Sequence, residues 1–314
     1  LKVPITGKRW EPAMARWTPK LVFHRSLAEL RATLPDAPPE PMIHRIICPF
    51  ETEEEEEFYY GIQGTIQDKL ESYSMDRMSN QEVFKMLLRL RQISVHPQVY
   101  INALRREYKY RPTKYQRDSW TAPATKFKAV EDLLKGGDGK TIIVCHFRDE
   151  IDLLAEFIKE KGLATKVFKY SGETSIEERE AVVEEATAAG EGTVILLQLQ
   201  AGGVGINLQT FTRVIFMTPW WNAALIDQAV GRAVRMGQKA VVQVYHILFE
   251  AEEDMSSGLV IDHFMAAKVE YKRALLEEFW TPKGEAADLS TKGDMDIQSK
   301  AISAEDSDED PITV

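Results

Sequence analysis

The stretch DQAVGRAVRMGQ, residues 227–238, places Arg232 and Arg235 three residues apart, with Gln228 four residues before Arg232 and no acidic residue after Asp227. On a helix these spacings put all three side chains on one face. Two permanent positive charges a turn apart repel each other, and an anion between them relieves that repulsion. A polyphosphate suits the task, because guanidinium groups offer paired N–H donors in a fixed fork. Positive charge delivered to a γ-phosphate as it leaves would stabilise the transition state of its transfer. A pair of surface arginines bridging to nearby carboxylates explains the same spacing equally well.

A second candidate is QAGGVGIN, residues 200–207, where Gly202, Gly203 and Gly205 allow close approach of backbone to phosphate and backbone dihedrals with φ > 0. It is a poor dinucleotide fingerprint: Leu208 breaks the glycine pattern and no long helix follows directly. GGDGK at 136–140 is no P-loop either, because the glycine spacing is wrong and the lysine runs straight into a strand rather than a helix. Residues 104–120 interleave Arg105, Arg106, Lys109, Arg111, Lys114 and Arg117 with Tyr108, Tyr110, Tyr115 and Trp120. That mixture fits phosphate and base contacts, and it fits better an exposed linker whose long side chains lie along apolar surface. Six histidines without H-E-x-x-H and two distant cysteines, Cys48 and Cys145, give no support to a metal site or a disulfide framework.

The elements that must position these residues are legible in the patterning. KTIIVCHF, TKVFKY, TVILLQL, RVIFMT and VVQVYHIL read as strands alternating with helices, which implies a parallel sheet covered on both faces. Asp149 is expected to cap a helix with Ile151, Leu154, Phe157 and Ile158 inward, ending at Gly162, and Ser175 with Glu178 forms a capping box. AALIDQAVGRAVRM reads as one further helix. Upstream, Phe58, Ile62, Ile66 and Leu70 make a helical stripe opened by a Thr52–Glu55 capping box, with Glu53–Glu57 as a solvated helix start. SNQE at Ser79–Glu82 opens another helix bearing Val83, Met86, Leu87, Leu90 and Ile93, which stops before Pro97.

The expected organisation is an extended Pro/Trp-rich lead-in over 1–50, a helical segment and basic linker over 51–135, an α/β lobe over 136–250, a helix within 251–282, and a disordered acidic tail over 283–314. That last helix is expected to show Val260, Phe264, Ala267, Tyr271 and Leu275 on one side. The chain of 314 residues has a formal net charge of −10, but residues 285–314 hold nine Asp or Glu against two Lys, so the body is close to neutral and can carry a local basic groove. No apolar run is long enough for a membrane span.

LRQISVHP (90–97), KTIIVCHFRDEIDLLAEFIKEKG (140–162), YSGETSIEERE (170–180), AGGVGINL (201–208), PWWNAALIDQAVGRAVRMGQ (219–238) and VYHIL (244–248) occur in the order found in Swi/Snf-type ATPases. The chain resembles the second RecA-like lobe of these superfamily-two DNA translocases from about residue 20 to about 280. PWWN leans towards the branch linked to DNA-damage tolerance and ubiquitin ligation. The resemblance implies a RecA-like α/β fold and catalytic arginine fingers at Arg232 and Arg235. It places Gln228, Gly203, Gly205 and Asn207 at the nucleotide, and Gln198, Trp220, Trp221 and Asn222 near DNA, with packing beneath the sheet an equal alternative for the tryptophans. It also implies a helix over 260–279 that braces the two lobes, ATP and Mg²⁺ bound mainly by a first lobe, double-stranded DNA and that lobe as partners, with chromatin or repair proteins beside them, and a nuclear location.

Three positions depart from the family: Gln198 stands where Ser or Thr is usual, Ala223 where Pro is common, and Gly231 with Val234 give GRAVR a general-helicase form. Neither a complete G-x-x-x-x-G-K-[ST] loop, since Leu134 stands where its first glycine would be, nor a DEAH-type acidic box occurs in the chain. The expectation is therefore a lobe that does not hydrolyse ATP alone. A non-enzymatic protein- or chromatin-binding lobe is the alternative; intact arginines speak against it. LRQISVHP, PWWN and RMGQ disfavour an RNA helicase.

Overall fold

The structure is a computed structural model and describes residues 27–72, 79–201, 205–250 and 260–280. Its frame is a six-stranded, wholly parallel sheet: β1 (Met42–Cys48), β2 (Thr141–Cys145), β3 (Lys166–Tyr170), β4 (Thr193–Gln198), β5 (Arg213–Phe216) and β6 (Gln243–Phe249), in the order β1-β6-β5-β2-β4-β3. Ile142 to Cys145 and Val194 to Leu197 are sealed on both faces, which is why those strands read as unbroken apolar runs. The RecA-like α/β architecture expected from the motifs is the one observed.

The helices are α1 (Leu27–Thr33), α2 (Glu53–Ser72), α3 (Asn80–Val95), α4 (Pro97–Glu107), α5 (Thr125–Lys135), α6 (Arg148–Glu160), α7 (Ile176–Ala188), α8 (Ala223–Val230) and α9 (Ile261–Trp280). One core lies between sheet and α7–α8 around Leu208, Phe211, Val214 and Ile226, and another between sheet and α5–α6 around Phe127, Ile143, Leu154 and Ile215. A third joins α2, α3 and α4 to the end of β6 and the start of α9, through Tyr59, Ile93, Ile101, Phe249 and Met265. The described residues up to Lys272 make one compact unit, and those of the second, Arg273–Trp280, are helical.

Local signals decide most helix starts. The Ser79–Glu82 and Ser175–Glu178 capping boxes both form. Gly162, at φ 62°, closes α6, with Leu163 N–H donating to Ile158 O at 3.0 Å. His96 links two helices: its backbone N–H donates to Gln92 O, ending α3, and its Nδ1 accepts from Gln98 N–H at 3.0 Å, opening α4. Burial pushes the His96 ring down to about 4, so it stays a neutral acceptor.

Several expectations are corrected. Residues 1–50 are not simply a lead-in, since 27–33 is helical and β1 adds a strand to the sheet's edge beside β6. Asp149 does not cap α6; the N-cap is Phe147, the Glu150 carboxylate accepts from His146 and Phe147 N–H at 2.7 and 3.0 Å, and Asp149 instead binds Arg106. The Thr52–Glu55 box is only half made. Thr52 Oγ1 accepts from Glu55 N–H, but the buried Glu55 carboxylate turns inward to Thr125 N and Oγ1 at 2.9 and 2.6 Å, so the Glu53–Glu57 start is not wholly solvated. On α2 the deepest line is Glu55, Tyr59, Gln63 and Ile66, with Phe58 and Ile62 beside it. On α9 it is Ile261, Met265 and Val269, and Tyr271 is exposed. The tail over 283–314 lies outside the described residues.

Candidate functional site

The helical pattern of AALIDQAVGRAVRM breaks earlier than its letters suggest. Helix α8 starts at Asn222, whose Oδ1 accepts from Ala224 N–H at 3.0 Å, and ends at Val230. Gly231 to Arg235 continue as tight turns: Arg232 N–H donates to Ala229 O, Ala233 and Val234 N–H to Val230 O, and Arg235 N–H to Ala233 O. Arg232 and Arg235 thus come together on a turn, and Gln228 stays behind on the exposed face of α8.

That turn is fastened by a residue the sequence did not single out. Buried Gln238 donates from Nε2 to the carbonyls of Gln209, Phe211 and Ala233 at 2.6, 3.2 and 3.4 Å, and its Oε1 accepts from Ala240 N–H at 2.9 Å. Gly237 precedes it at φ 94°, a left-handed conformation that side-chain-bearing residues resist. The available signal was the MGQ tripeptide, a glycine–polar pair closing a helical pattern. Ala233 and Val234 point into the core beside Leu208 and Phe211, which turns the two flanking arginines outward.

The loop after β4 meets this turn. Leu208 N–H donates to Arg232 O at 3.0 Å, and Arg235 Nη1 donates to Ile206 O at 3.1 Å and Gly205 O at 3.5 Å. Asn207 is exposed, and its Oδ1 accepts from Gln209 N–H at 3.3 Å. Gly203 lies outside the described residues. Neither Arg232 nor Arg235 forms an ion pair among the described residues, and Arg232 Nε is buried with no hydrogen-bond partner. Partial burial first, and the charge of Arg235 second, lower the Arg232 pKa from its usual value. Two adjacent guanidiniums with no ion pair among the described residues offer the donors that an anion bearing several oxygens can accept from.

The proposed DNA-side residues fall into a different environment. Gln198, at the carboxyl end of β4, accepts through Oε1 from Gly172 N–H at 2.9 Å and reaches His146 O at 3.5 Å. Trp220 is buried, stacked on His146 with ring centroids 4.8 Å apart, and the Arg91 guanidinium lies 4.3 Å from its ring centre and 5.2 Å from that of Trp221. Burial first and Arg91 second push His146 down to about 3, while burial pushes Glu150 up to about 7. Trp221 is half-buried, and its carbonyl accepts from Lys272 Nζ at 3.0 Å. Trp220 and Asn222 are thus occupied in packing and capping.

Comparison with known proteins bears on this geometry. Residues 125–237 match the helicase conserved C-terminal domain. The chain is 36% identical over 118 residues to the DNA repair protein RAD5B of Arabidopsis thaliana, a stretch covering 37% of this chain and 9% of that protein. The matched stretches span about a tenth of the length of such curated relatives. Among solved structures, the C-terminal part of the Fun30 ATPase domain aligns with a TM-score of 0.51 at 17% identity, covering 77% of this chain and 99% of that one. The SWI2/SNF2 ATPase core of Sulfolobus solfataricus in complex with dsDNA aligns at 0.51 and 22% identity, covering 77% of this chain and 49% of that one.

Proposed function

We propose, from the premise that this chain carries a Swi/Snf-type helicase C-terminal lobe, that it is the second half of an ATP-driven double-stranded-DNA translocase of the DNA-repair or chromatin type. In this reading Arg232 and Arg235 meet the γ-phosphate of an ATP seated on a first RecA-like lobe, which also supplies the magnesium ligands. Gln228, Gly203, Gly205 and Asn207 border the nucleotide, and the carboxyl edge of the sheet, with Gln198 and Trp221, faces duplex DNA in the nucleus. The observation that carries it is the uncompensated arginine pair, anchored by Gln238 and the Gly205–Ile206 carbonyls rather than by carboxylates.

Bound ATP supplies the phosphoryl group, and this chain's residues supply charge and position. Arg235 is pinned through Nη1 to the loop after β4, so closure against a first lobe brings a pre-set donor to the phosphate rather than a freely rotating one. Arg232 adds a second donor whose Nε is already out of bulk water. Positive charge held there stabilises the oxygens of a departing γ-phosphate by the arginine-finger effect, about 10³–10⁵ in rate. Because Leu208 N–H binds Arg232 O, movement of the arginine turn pulls on the glycine loop, giving nucleotide state a path to the sheet edge.

Phosphate release with and without duplex DNA tests this, measured on the chain alone and on the same chain joined to a first RecA-like lobe. The expected result is no turnover alone, DNA-stimulated turnover when joined, and its loss in Arg235→Ala. DNA-stimulated turnover by the chain alone, or full activity of the joined Arg235→Ala variant, would overturn it.

A further inference from the structure

The basic, aromatic-rich linker of residues 104–120 divides into two classes of cation. Arg105 donates to Arg117 O at 2.7 Å and Ser119 Oγ at 3.2 Å, Arg106 grips the Asp149 carboxylate at 2.8 and 2.5 Å, and the Arg117 guanidinium sits 3.8 Å from the Phe58 ring centre. Those three hold the segment in place. Lys109, Arg111 and Lys114 are exposed and make no ion pair among the described residues. Of the carboxylates nearby, Glu107 is engaged by Lys85 and Arg89 and Asp149 by Arg106, while Asp118 is exposed and forms no ion pair with these cations.

All of Lys109 to Lys114 is exposed, and Tyr110 is 90% exposed. The segment is nevertheless built. Arg111 N–H donates to Tyr108 O at 2.8 Å, Lys114 N–H to Arg111 O at 3.0 Å, and Pro112–Lys114 forms a 3₁₀ turn. At its far root Tyr115 and Trp120 pack on the third core, with Trp120 stacked on Phe58 at 5.7 Å. At its near root, Arg106 ties it to the first turn of α6, which begins where β2 ends, the same end of the sheet that carries Gln198.

We infer that the Lys109–Lys114 turn is a second nucleic-acid contact, a rigid prong that grips the phosphate backbone of the duplex without reading sequence. Five of its six side chains, Lys109, Tyr110, Arg111, Thr113 and Lys114, are of the types that donate to phosphate oxygens. Their backbone is fixed beforehand, so little ordering opposes binding. An aromatic ring with Lys109 Nζ 5.8 Å from its centre suits a sugar–phosphate surface. An acidic protein segment would satisfy the cations and leave the exposed ring unused. The inference rests on the DNA-translocase reading and extends it beyond the glycine loop and sheet edge.

The test is anisotropy of a labelled random-sequence duplex against salt concentration, using the full chain, a Lys109→Ala/Arg111→Ala/Lys114→Ala variant, and a Lys159→Ala/Lys161→Ala/Lys166→Ala control that removes equal charge from another exposed surface. Three phosphate contacts are worth about 2.7 in the slope of log K against log salt, at roughly 0.9 each. The linker variant should lose about that slope and at least about tenfold in low-salt affinity, and the control should keep both; thermal melting confirms that each variant is folded. Equal behaviour of linker variant and control overturns the prong while leaving the motor reading intact. Binding of poly-glutamate but not duplex through this turn, or no duplex binding by the unaltered chain, also overturns it. Slope loss in the linker variant, combined with undiminished turnover by a two-lobe Arg235→Ala protein, supports the prong and removes the motor reading.

Discussion

Two charged clusters in this molecule are built on opposite principles. At the junction of α3, α5, β6 and α9, Lys126 is fully buried, with Nζ 2.5 Å from Asp262 Oδ2 and 3.0 Å from Ser94 Oγ. Asp262 also accepts from Ser94 Oγ at 2.7 Å and from Phe249 N–H at 3.1 Å. Four elements distant in sequence share one closed network. At the Arg232–Arg235 turn the positive charges pair with no carboxylate among the described residues, and one nitrogen is buried without a hydrogen-bond partner there. The closed network spends its charge inside the fold. The open pair has no such partner among the described residues, and that difference separates a charge that holds the lobe together from one that is left available to an anion.

Substitutions can break this contrast. The largest effect expected is on turnover: Arg235→Ala, in a protein carrying both lobes, lowers DNA-stimulated phosphate release about 10³–10⁵-fold, while chemical denaturation shows a stability change under about 1.5 kcal/mol, the scale of the lost bond to Ile206 O. Asp262→Ala should do the reverse, destabilising by about 3–5 kcal/mol because Lys126 is left buried without its counter-charge. A double-mutant cycle with Lys126→Met sharpens that point, and the double variant should lose less than the sum of the singles. Gln238→Ala lies between the classes, costing about 1–3 kcal/mol through the carbonyls of Gln209, Phe211 and Ala233, and it should lower turnover as well by loosening the turn.

The smallest effect is a matter of pH. Glu150, raised to about 7 by burial, contributes stability that is complete below the unfolded carboxyl value of 4.5 and is lost as pH rises through 7. His146 and His96, lowered to about 3 and 4, act oppositely: their contribution is present above 6.5 and fades as pH falls below it. Glu150→Gln keeps an acceptor for His146 and Phe147 N–H and removes the first contribution. Melting temperature should then rise more steeply with pH across 4.5–7, because in the unaltered chain one carboxyl opposes the two imidazoles over that range. An unchanged profile would show that Glu150 is ionised throughout.

What was legible in the sequence was what short stretches determine. The buried strands announce themselves as apolar runs, and Ser79–Glu82 and Ser175–Glu178 carry cap and partner within one turn. The end of α8 was illegible because Arg232 to Met236 keep helix-compatible letters beyond the Gly231 C-cap, whereas the turn they adopt is held by Gly237 and by Gln238 bonds reaching back to the Gln209 loop. The Glu55 carboxylate could not be placed, since its partner Thr125 is 70 residues away. Nor could Lys126 and Asp262 be paired across a sequence separation of 136. On α9 the apolar pattern supports two adjacent stripes, and only the cores select the buried one, the third taking Ile261 and Met265 and the first Val269. The arginine pair was visible as types at a spacing; its lack of carboxylate partners required the folded geometry.

The placement of β1 at the sheet's rim, paired with β6 over seven register positions, has a practical consequence for anyone isolating this lobe. A fragment trimmed to the matched span 125–237 would discard both β1 and β6 and lay bare the side of β5. Uncovered backbone donors and acceptors along a flat apolar strand invite adhesion between molecules. Such a product should be recovered as aggregates, whereas boundaries drawn to include Met42 and Phe249 should yield a soluble preparation.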